Sequence, residues 1–307
     1  MAATLDQRGQ APTTRSGSTR WRALFSPWFW IAPALAFVTI FLFYPVIYTF
    51  WLSFLNPLST QFVGVKNYQT IFTNPGLLEV LRNNILWLVV GTVGSVALGL
   101  LVAVLVDRVK FEGTAKAAIF IPMAISFVGA GVIWRFVYAY TAPGQPQIGL
   151  LNAIWGLFGG QPIAWLVNAQ TNNLAMIAVY IWIWTGFCMV IISAALKGIP
   201  VELLEAARTD GASEVTIFFR ITIPLISPTL AVVATTMVIN LLKIFDIVYV
   251  MTGGDFGTNV IATEYVTQAF NFNNFGLSSA LAVVLIVAVI PVIYFNIQRF
   301  RIQEAQR

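Results

Sequence analysis

Histidine is absent from all 307 residues, cysteine occurs once, and only 9% of the side chains carry a formal charge. Without imidazole there is no His-based nucleophile relay, no imidazole zinc site and no access to the commonest general base. The lone thiol, Cys188, cannot form an intrachain disulfide. No G-x-x-x-x-G-K-[ST] loop occurs; in ALKGIP the Gly and Lys stand in reversed order, so this chain lacks that device for holding and hydrolysing ATP. Carboxylates inside apolar runs are also scarce, with Asp246 the one well within such a run. A membrane-embedded enzyme is disfavoured on these grounds, and the chain is read as having no catalytic residue, no metal site and no cofactor of its own.

What the sequence does have is apolar length. Hydrophobic residues make up 58% of the chain, and the mean hydropathy is +0.81, which points to a membrane protein. A spanning helix needs about 20 predominantly apolar residues. Six runs qualify, at roughly Trp28 to Leu55, Ile85 to Val106, Ala117 to Tyr138, Leu174 to Leu196, Leu225 to Met251 and Leu277 to Ile297. Their unbroken apolarity excludes the alternating pattern of a barrel, so an all-α membrane fold is expected.

Thirteen of the seventeen basic residues fall in the tails and in the two even-numbered connections. Short loops rich in Lys and Arg stay inside, so both termini are predicted cytoplasmic and the formal charge of +5 reflects topology, with no call for nucleic acid. Residues 1–26, rich in Thr, Ser, Gly and Arg, read as a disordered cytoplasmic tail; 27–298 form the six-helix domain and 299–307 a second cytoplasmic tail. The first run is too long for a signal-peptide core and is expected to be an uncleaved span.

One connection stands apart. EAARTDGASEVTIFFRITIP, 205–224, holds five charged residues between two apolar stretches. Pro200 suits the first turn of a helix through VELLEAART, about 15 Å long, and Gly211 suits a left-handed cap. Ser213 can cap a second short helix, and Pro224 then marks entry to the fifth span. From the residues alone, this is either an amphipathic loop at the headgroups or a contact surface.

The spacing Glu205, Ala206, Ala207, Gly211, Ile221, Ile223, Pro224 resembles the E-A-A-x3-G-x9-I-x-L-P signature of binding-protein-dependent ABC importer permeases, with Ile223 in place of the usual Leu. PALAFVTIFLFYPVIYTFWLSF, FVGVKNYQTIF, GLLN (Gly149 to Asn152) and FDIVYVMTGG (Phe245 to Gly254) are similar to carbohydrate permeases of the maltose and glycerol-phosphate type, although Asp255 replaces their usual proline. The tail NFGLSSALAVVLIVAVIPVIYFNIQRFR looks closest to alpha-glucoside permeases, including those for trehalose, sucrose or glucosylglycerol.

That resemblance implies a type I importer fold of six transmembrane helices in the bacterial cytoplasmic (inner) membrane. It also implies a second homologous permease as heterodimer partner, two ATPase subunits that carry the ATP and Mg, and an extracytoplasmic solute-binding protein. The loop 197–224 would hold the coupling helix, with Glu202, Glu205, Ala206, Ala207, Asp210 and Gly211 meeting an ATPase subunit. The sugar would pass residues of the fourth and fifth spans.

In the fifth span Lys243 and Asp246 stand at i and i+3, on one face of a continuous helix and within a turn of Asn240. They read as a buried pair locking two helices or as groups that hydrogen-bond sugar hydroxyls. Ile244 shares that segment. In YIWIWTGFCMV, Trp182, Trp184 and Phe187 are candidates for stacking on a pyranose, Gly186 for leaving it room, and Met189 for lining the path; such aromatics also fill helix interfaces. Arg135 reads as reaching to the headgroups, and Gly91, Gly94 and Gly99 as close helix packing. The rival readings are an ABC permease for glycerol phosphate or another non-sugar solute, and a stand-alone secondary transporter, whose broken half-helices and repeats are not evident.

Overall fold

The computed structural model describes residues 30–107 and 109–305. The predicted disordered tail at 1–26 and Trp28 lie outside the described residues. Two units divide after Thr49. The first contains most of α1, Trp30–Leu52, a strongly apolar helix whose Thr39–Phe43 stretch is a widened π turn.

The second unit is helical throughout; among the described residues its extended pairing is confined to one bridge between Leu55 and Phe62. After the short α2, Lys66–Thr73, α3 runs Pro75–Val106. It begins about ten residues before the apolar run does. Asn74 Oδ1 accepts from the amides of Gly76 at 2.9 Å and Leu77 at 3.3 Å, and Pro75 occupies the first turn, where its missing N–H costs nothing. The capping signal, rather than the edge of hydrophobicity, sets this boundary.

The third predicted span is two helices, α4 (Glu112–Ala124) and α5 (Phe127–Val137), bent by 98°. Pro122 tightens the end of α4 into a 3-10 turn, and Ser126 caps α5 by accepting from Gly129 N at 3.1 Å, so the chain turns at Ile125 instead of continuing. After α6, Leu150–Leu157, α7 (Asn172–Lys197) matches the fourth predicted span. Then come α8 (Val201–Thr209), α9 (Glu214–Leu242), α10 (Asp246–Met251), α11 (Ile261–Val266) and α12 (Phe275–Ala305). Among the described residues five helices are long and apolar enough to cross a membrane, six if the bent pair is one span.

Two boundaries of the fifth span are corrected. Pro224 does not mark its entry, because α9 starts at Glu214 and passes through Pro224 and Pro228; a π turn over Phe218–Thr222 shifts the hydrogen-bond register just ahead of the first proline. At the other end the helix stops at Leu242, with Lys243 at φ −106°, ψ 25°. In the segment predicted as the second tail, the helix of α12 runs on to Ala305.

α7 forms the centre of the core: Met176, Val179, Cys188, Met189 and Ile192 are fully buried. α3 packs on it through Gly94 and Gly99, and on α9 through Gly91. A Cβ at Gly99 would collide with that of Cys188, one at Gly94 with Ile181, and one at Gly91 would lie 2.9 Å from Leu241 Cδ1, so the second-span glycines do serve close approach. A smaller outer core gathers Ile71, Leu77 and Val80 with Ile261, Leu277 and Leu281.

Candidate functional site

The inner connection is built as a helix, a turn and the start of a long rod. Pro200 ends the preceding loop and α8 closes at Gly211, φ +81°. Ala212 N donates to Ala207 O at 3.0 Å and Gly211 N to Arg208 O at 3.0 Å, which satisfies carbonyls that a helix end leaves open. Ser213 Oγ accepts from Thr216 N at 3.2 Å and starts α9. Glu202, Glu205, Ala206 and Thr209 form one exposed face of α8, while Leu204 and Ala207 turn inward. Asp210 and Gly211 are exposed at the turn.

Arg208 bridges that turn, with Nε 2.7 Å and Nη2 3.3 Å from the two oxygens of Glu214. Those bonds raise its pKa above the usual arginine value, so the guanidinium stays charged. Beneath the helix a cavity of about 190 Å³ is lined by Asp107, Leu196, Leu204, Arg208 and Phe218, among others.

Beside it lies a cluster that sequence reasoning did not assemble. Lys116 Nζ is 2.6 Å from Asp107 Oδ1 and 2.6 Å from Glu112 Oε1 and also bonds Ser193 Oγ. Ser193 Oγ donates to Asp107 at 2.7 Å, and Lys197 bonds Glu112. Two cations and two carboxylates thus tie α3, α4 and the end of α7 together. The i, i+4 pair Glu112 and Lys116 is legible in the sequence; Ser193 and Lys197 enter only through the packing of α7.

Of the fourth-span path candidates, Gly186 and Met189 are buried and Trp182, Trp184 and Phe187 are half-buried. Trp184 is enclosed by Phe127, Tyr180 and Phe187, with ring centroids 6.3, 6.0 and 5.5 Å away, and its indole N–H is buried without a partner. Trp182 packs edge-on against Trp134 at 5.5 Å. Gly186 does not open a gap, since a Cβ there would sit 2.6 Å from Ile119 O and 2.7 Å from Phe120 Cα. Met189 is fully buried.

The fifth-span candidates are arranged otherwise. Lys243 and Asp246 do not share a continuous helix face, because the chain breaks between α9 and α10, and among the described residues they form no ion pair. Lys243 is exposed, Asp246 and Asn240 are half-buried and Ile244 is buried. Asn240 Nδ2 donates to Thr236 O at 2.9 Å. The break has internal support: Asn84 reaches the freed Leu242 carbonyl at 3.5 Å and accepts from Ile261 N at 2.7 Å.

On the predicted outer side, buried asparagines pin the loops. Asn83 donates to the carbonyls of Gly257 and Asn259, both at 2.9 Å, and Asn172 to Phe256 O at 2.7 Å. In GLLN, Asn152 bonds Ala139, Ile163 and Trp165 at 2.9–3.1 Å, and Gly149 lies so close to Ala139 that no side chain fits. These residues hold loops in place, a role their spacing alone does not disclose. Among the described residues no group of three or more acidic or thiol side chains is placed to hold a metal.

Comparison with known proteins places this architecture. Residues 19–303 match the family model described as binding-protein-dependent transport system inner membrane component. The osmoprotective compounds uptake permease protein GgtC of Synechocystis sp. is 55% identical, over 91% of this chain and 100% of that one. The alpha-glucoside transport system permease protein AglF of Rhizobium meliloti is 44% identical, over 95% and 87%. In a crystal structure of a bacterial ABC transporter involved in import of the acidic polysaccharide alginate, one chain superposes with a TM-score of 0.77 at 22% identity, over 92% of this chain and 99% of that one. The chain belongs to the binding-protein-dependent transport system inner membrane component family, as a non-catalytic, multi-pass permease component of an ABC transporter in the inner membrane.

Proposed function

We propose that this chain is one of two related permease subunits that import an alpha-glucoside or another small glucosyl compound into the cytoplasm. The observation that carries the choice of solute is Lys243: an exposed ammonium in an otherwise apolar segment, at a helix break, with a carboxylate three residues on and no ion pair between them. Charges at such depth are costly and belong to protein contacts or a wet path. A donor and an acceptor of opposite charge suit a neutral polyhydroxylated solute, whereas Asp246 opposes the phosphate of glycerol phosphate. Likeness to an osmoprotectant uptake permease and to an alpha-glucoside permease over nearly the full chain supports the same reading.

A second permease would complete the path against Lys243, Asn240 and Asp246. Two ATPase subunits, carrying ATP and Mg, would dock on Glu202, Glu205, Ala206, Ala207, Asp210 and Gly211, and an external solute-binding protein would deliver the solute. ATP-driven closure would shift α8 and, through it, α7 and α9. The test is uptake of labelled alpha-glucosides by the co-purified complex in proteoliposomes, with unlabelled glucosides and glycerol phosphate as competitors. Competition by glucosides and a raised half-saturating concentration for Lys243→Gln are expected; competition by glycerol phosphate alone overturns the reading.

A further inference from the structure

On the outer side a cavity of about 380 Å³ is lined by Arg135, Tyr138, Tyr140, Trp165, Thr252 and Phe256, among others. Its volume lies in the range of small-molecule sites, about 300–1,000 Å³. The hydrogen-bonding ends of two of its rings are committed to the scaffold: Tyr138 Oη donates to Ala175 O at 3.0 Å and Trp165 Nε1 to Asn152 Oδ1 at 3.0 Å. Thr252 Oγ1 is likewise engaged, with Val248 O and Thr258. Among the described residues Arg135 makes a single bond, from Nη1 to Val250 O at 3.3 Å, which leaves most of its donors for other partners. Tyr140 Oη has no hydrogen bond among the described residues.

Phe256 is the most telling member. Its φ is +57°, a region that side-chain-bearing residues seldom occupy and that is costly for a bulky one. Burial does not compensate for this, since Phe256 is 52% exposed. The conformation is imposed instead by the bond from fully buried Asn172 to its carbonyl and by flanking Gly254 and Gly257, also at positive φ. The fold therefore spends a strained turn on presenting an aromatic ring at the cavity, where a glycine would serve the backbone better.

We infer that this cavity is an outer sugar subsite, in which the rings of Phe256 and Tyr140 face the C–H surface of a pyranose while Arg135 and Tyr140 Oη hydrogen-bond its hydroxyls. A solute released at the outer side would rest there before reaching Lys243. A single guanidinium with no second basic group in the lining favours a neutral glycoside over a doubly charged phosphate. This site rests on the function proposed above for its solute class.

The assembled transporter in proteoliposomes, photolabelled with a diazirine-bearing alkyl alpha-glucoside, tests it. Label is expected on the peptides carrying Tyr140, Trp165 and Phe256. Phe256→Ala and Arg135→Gln should each raise the half-saturating solute concentration about fivefold to tenfold at constant maximal rate, and Phe256→Tyr should restore it. If wild type imports no glucoside, the proposed function fails. If wild type imports glucosides but the cavity takes no label and the variants transport normally, the subsite alone is refuted. It is also refuted if the variants weaken docking of the loaded and empty solute-binding protein equally, for the cavity then receives protein rather than sugar.

Discussion

Gly211 provides the sharpest test of the inner connection. A Cβ built on it meets no atom within 4 Å, yet its φ is +81°. Within this chain the demand for glycine is thus one of backbone conformation, not of space. An L-residue in the left-handed region costs roughly 1–2 kcal/mol, which corresponds to about a 5–30-fold loss in the population of the intact turn. The bonds lost with it would be Ala212 N to Ala207 O and Gly211 N to Arg208 O. Asn tolerates that region and Val does not. The expected order of solute imported per ATP hydrolysed, in proteoliposomes bearing the whole complex, is therefore Gly211 close to Gly211→Asn, then Gly211→Ala, then Gly211→Val, with ATP hydrolysis itself retained. Should Gly211→Asn fail as badly as Gly211→Val, side-chain volume against the partner decides instead; normal import by Gly211→Val would refute any role for the turn.

Other perturbations give distinct outcomes. Lys116→Met leaves Asp107 and Glu112 without their shared cation at sites only 18% and 27% exposed, and should destabilise the complex; a lowered melting temperature, partly recovered by adding Asp107→Asn, is the check. Gly186→Val drives a side chain into the Ile119–Phe120 backbone and should cost about 1–3 kcal/mol or more, read as loss of folded protein from the membrane; a well-folded variant with altered solute affinity would return Gly186 to the path. Two glycines in place of Thr235 and Thr236, half-buried in mid-α9, should weaken that helix by about 0.5 kcal/mol combined and lower import per ATP while leaving hydrolysis intact.

How much of this was legible depended on whether the signal was local. Apolar length located the six segments, and α7 coincides with its run because nothing capped or broke it earlier. Gly211 and Ser213 announced their own geometry, and the E-A-A spacing announced the family. Boundaries set by a competing local signal were misplaced: Asn74–Pro75 starts α3 early, Pro122 with Ser126 folds the third span, and a π turn carries α9 past Pro224. The break at Lys243 was hidden because no proline or glycine marks it. Its support comes from Asn84, 158 residues away in sequence. Long-range partners of this kind also explain why the Lys116 cluster and the asparagine clamps were not foreseen.

The two helices leaving the inner connection are held in different ways, which bears on how motion of α8 would be divided between them. α7 is anchored where it meets the connection: Ser193 and Lys197 are bonded into the Asp107–Glu112–Lys116 cluster, and its core face is enclosed by α3. α9 starts from Ser213, whose hydroxyl caps it. It is joined to α8 through Arg208 and Glu214, both substantially exposed, and runs unbroken from Glu214 to Leu242, about 44 Å at the helical rise. α9 is packed as well, through buried Ile226, Val233, Met237 and Leu241, so what sets α7 apart is the ion-tied cluster at its inner end, and close-packed elements shift as units. Under the proposed function motion of α8 would thus pass to α9 more readily than to the inner end of α7, and the far end of α9 is where the chain breaks and exposes Lys243. The helix break also separates α9 from α10, which is packed on α5, so under that function a shift of α9 would reach α10 only through the Lys243–Phe245 link.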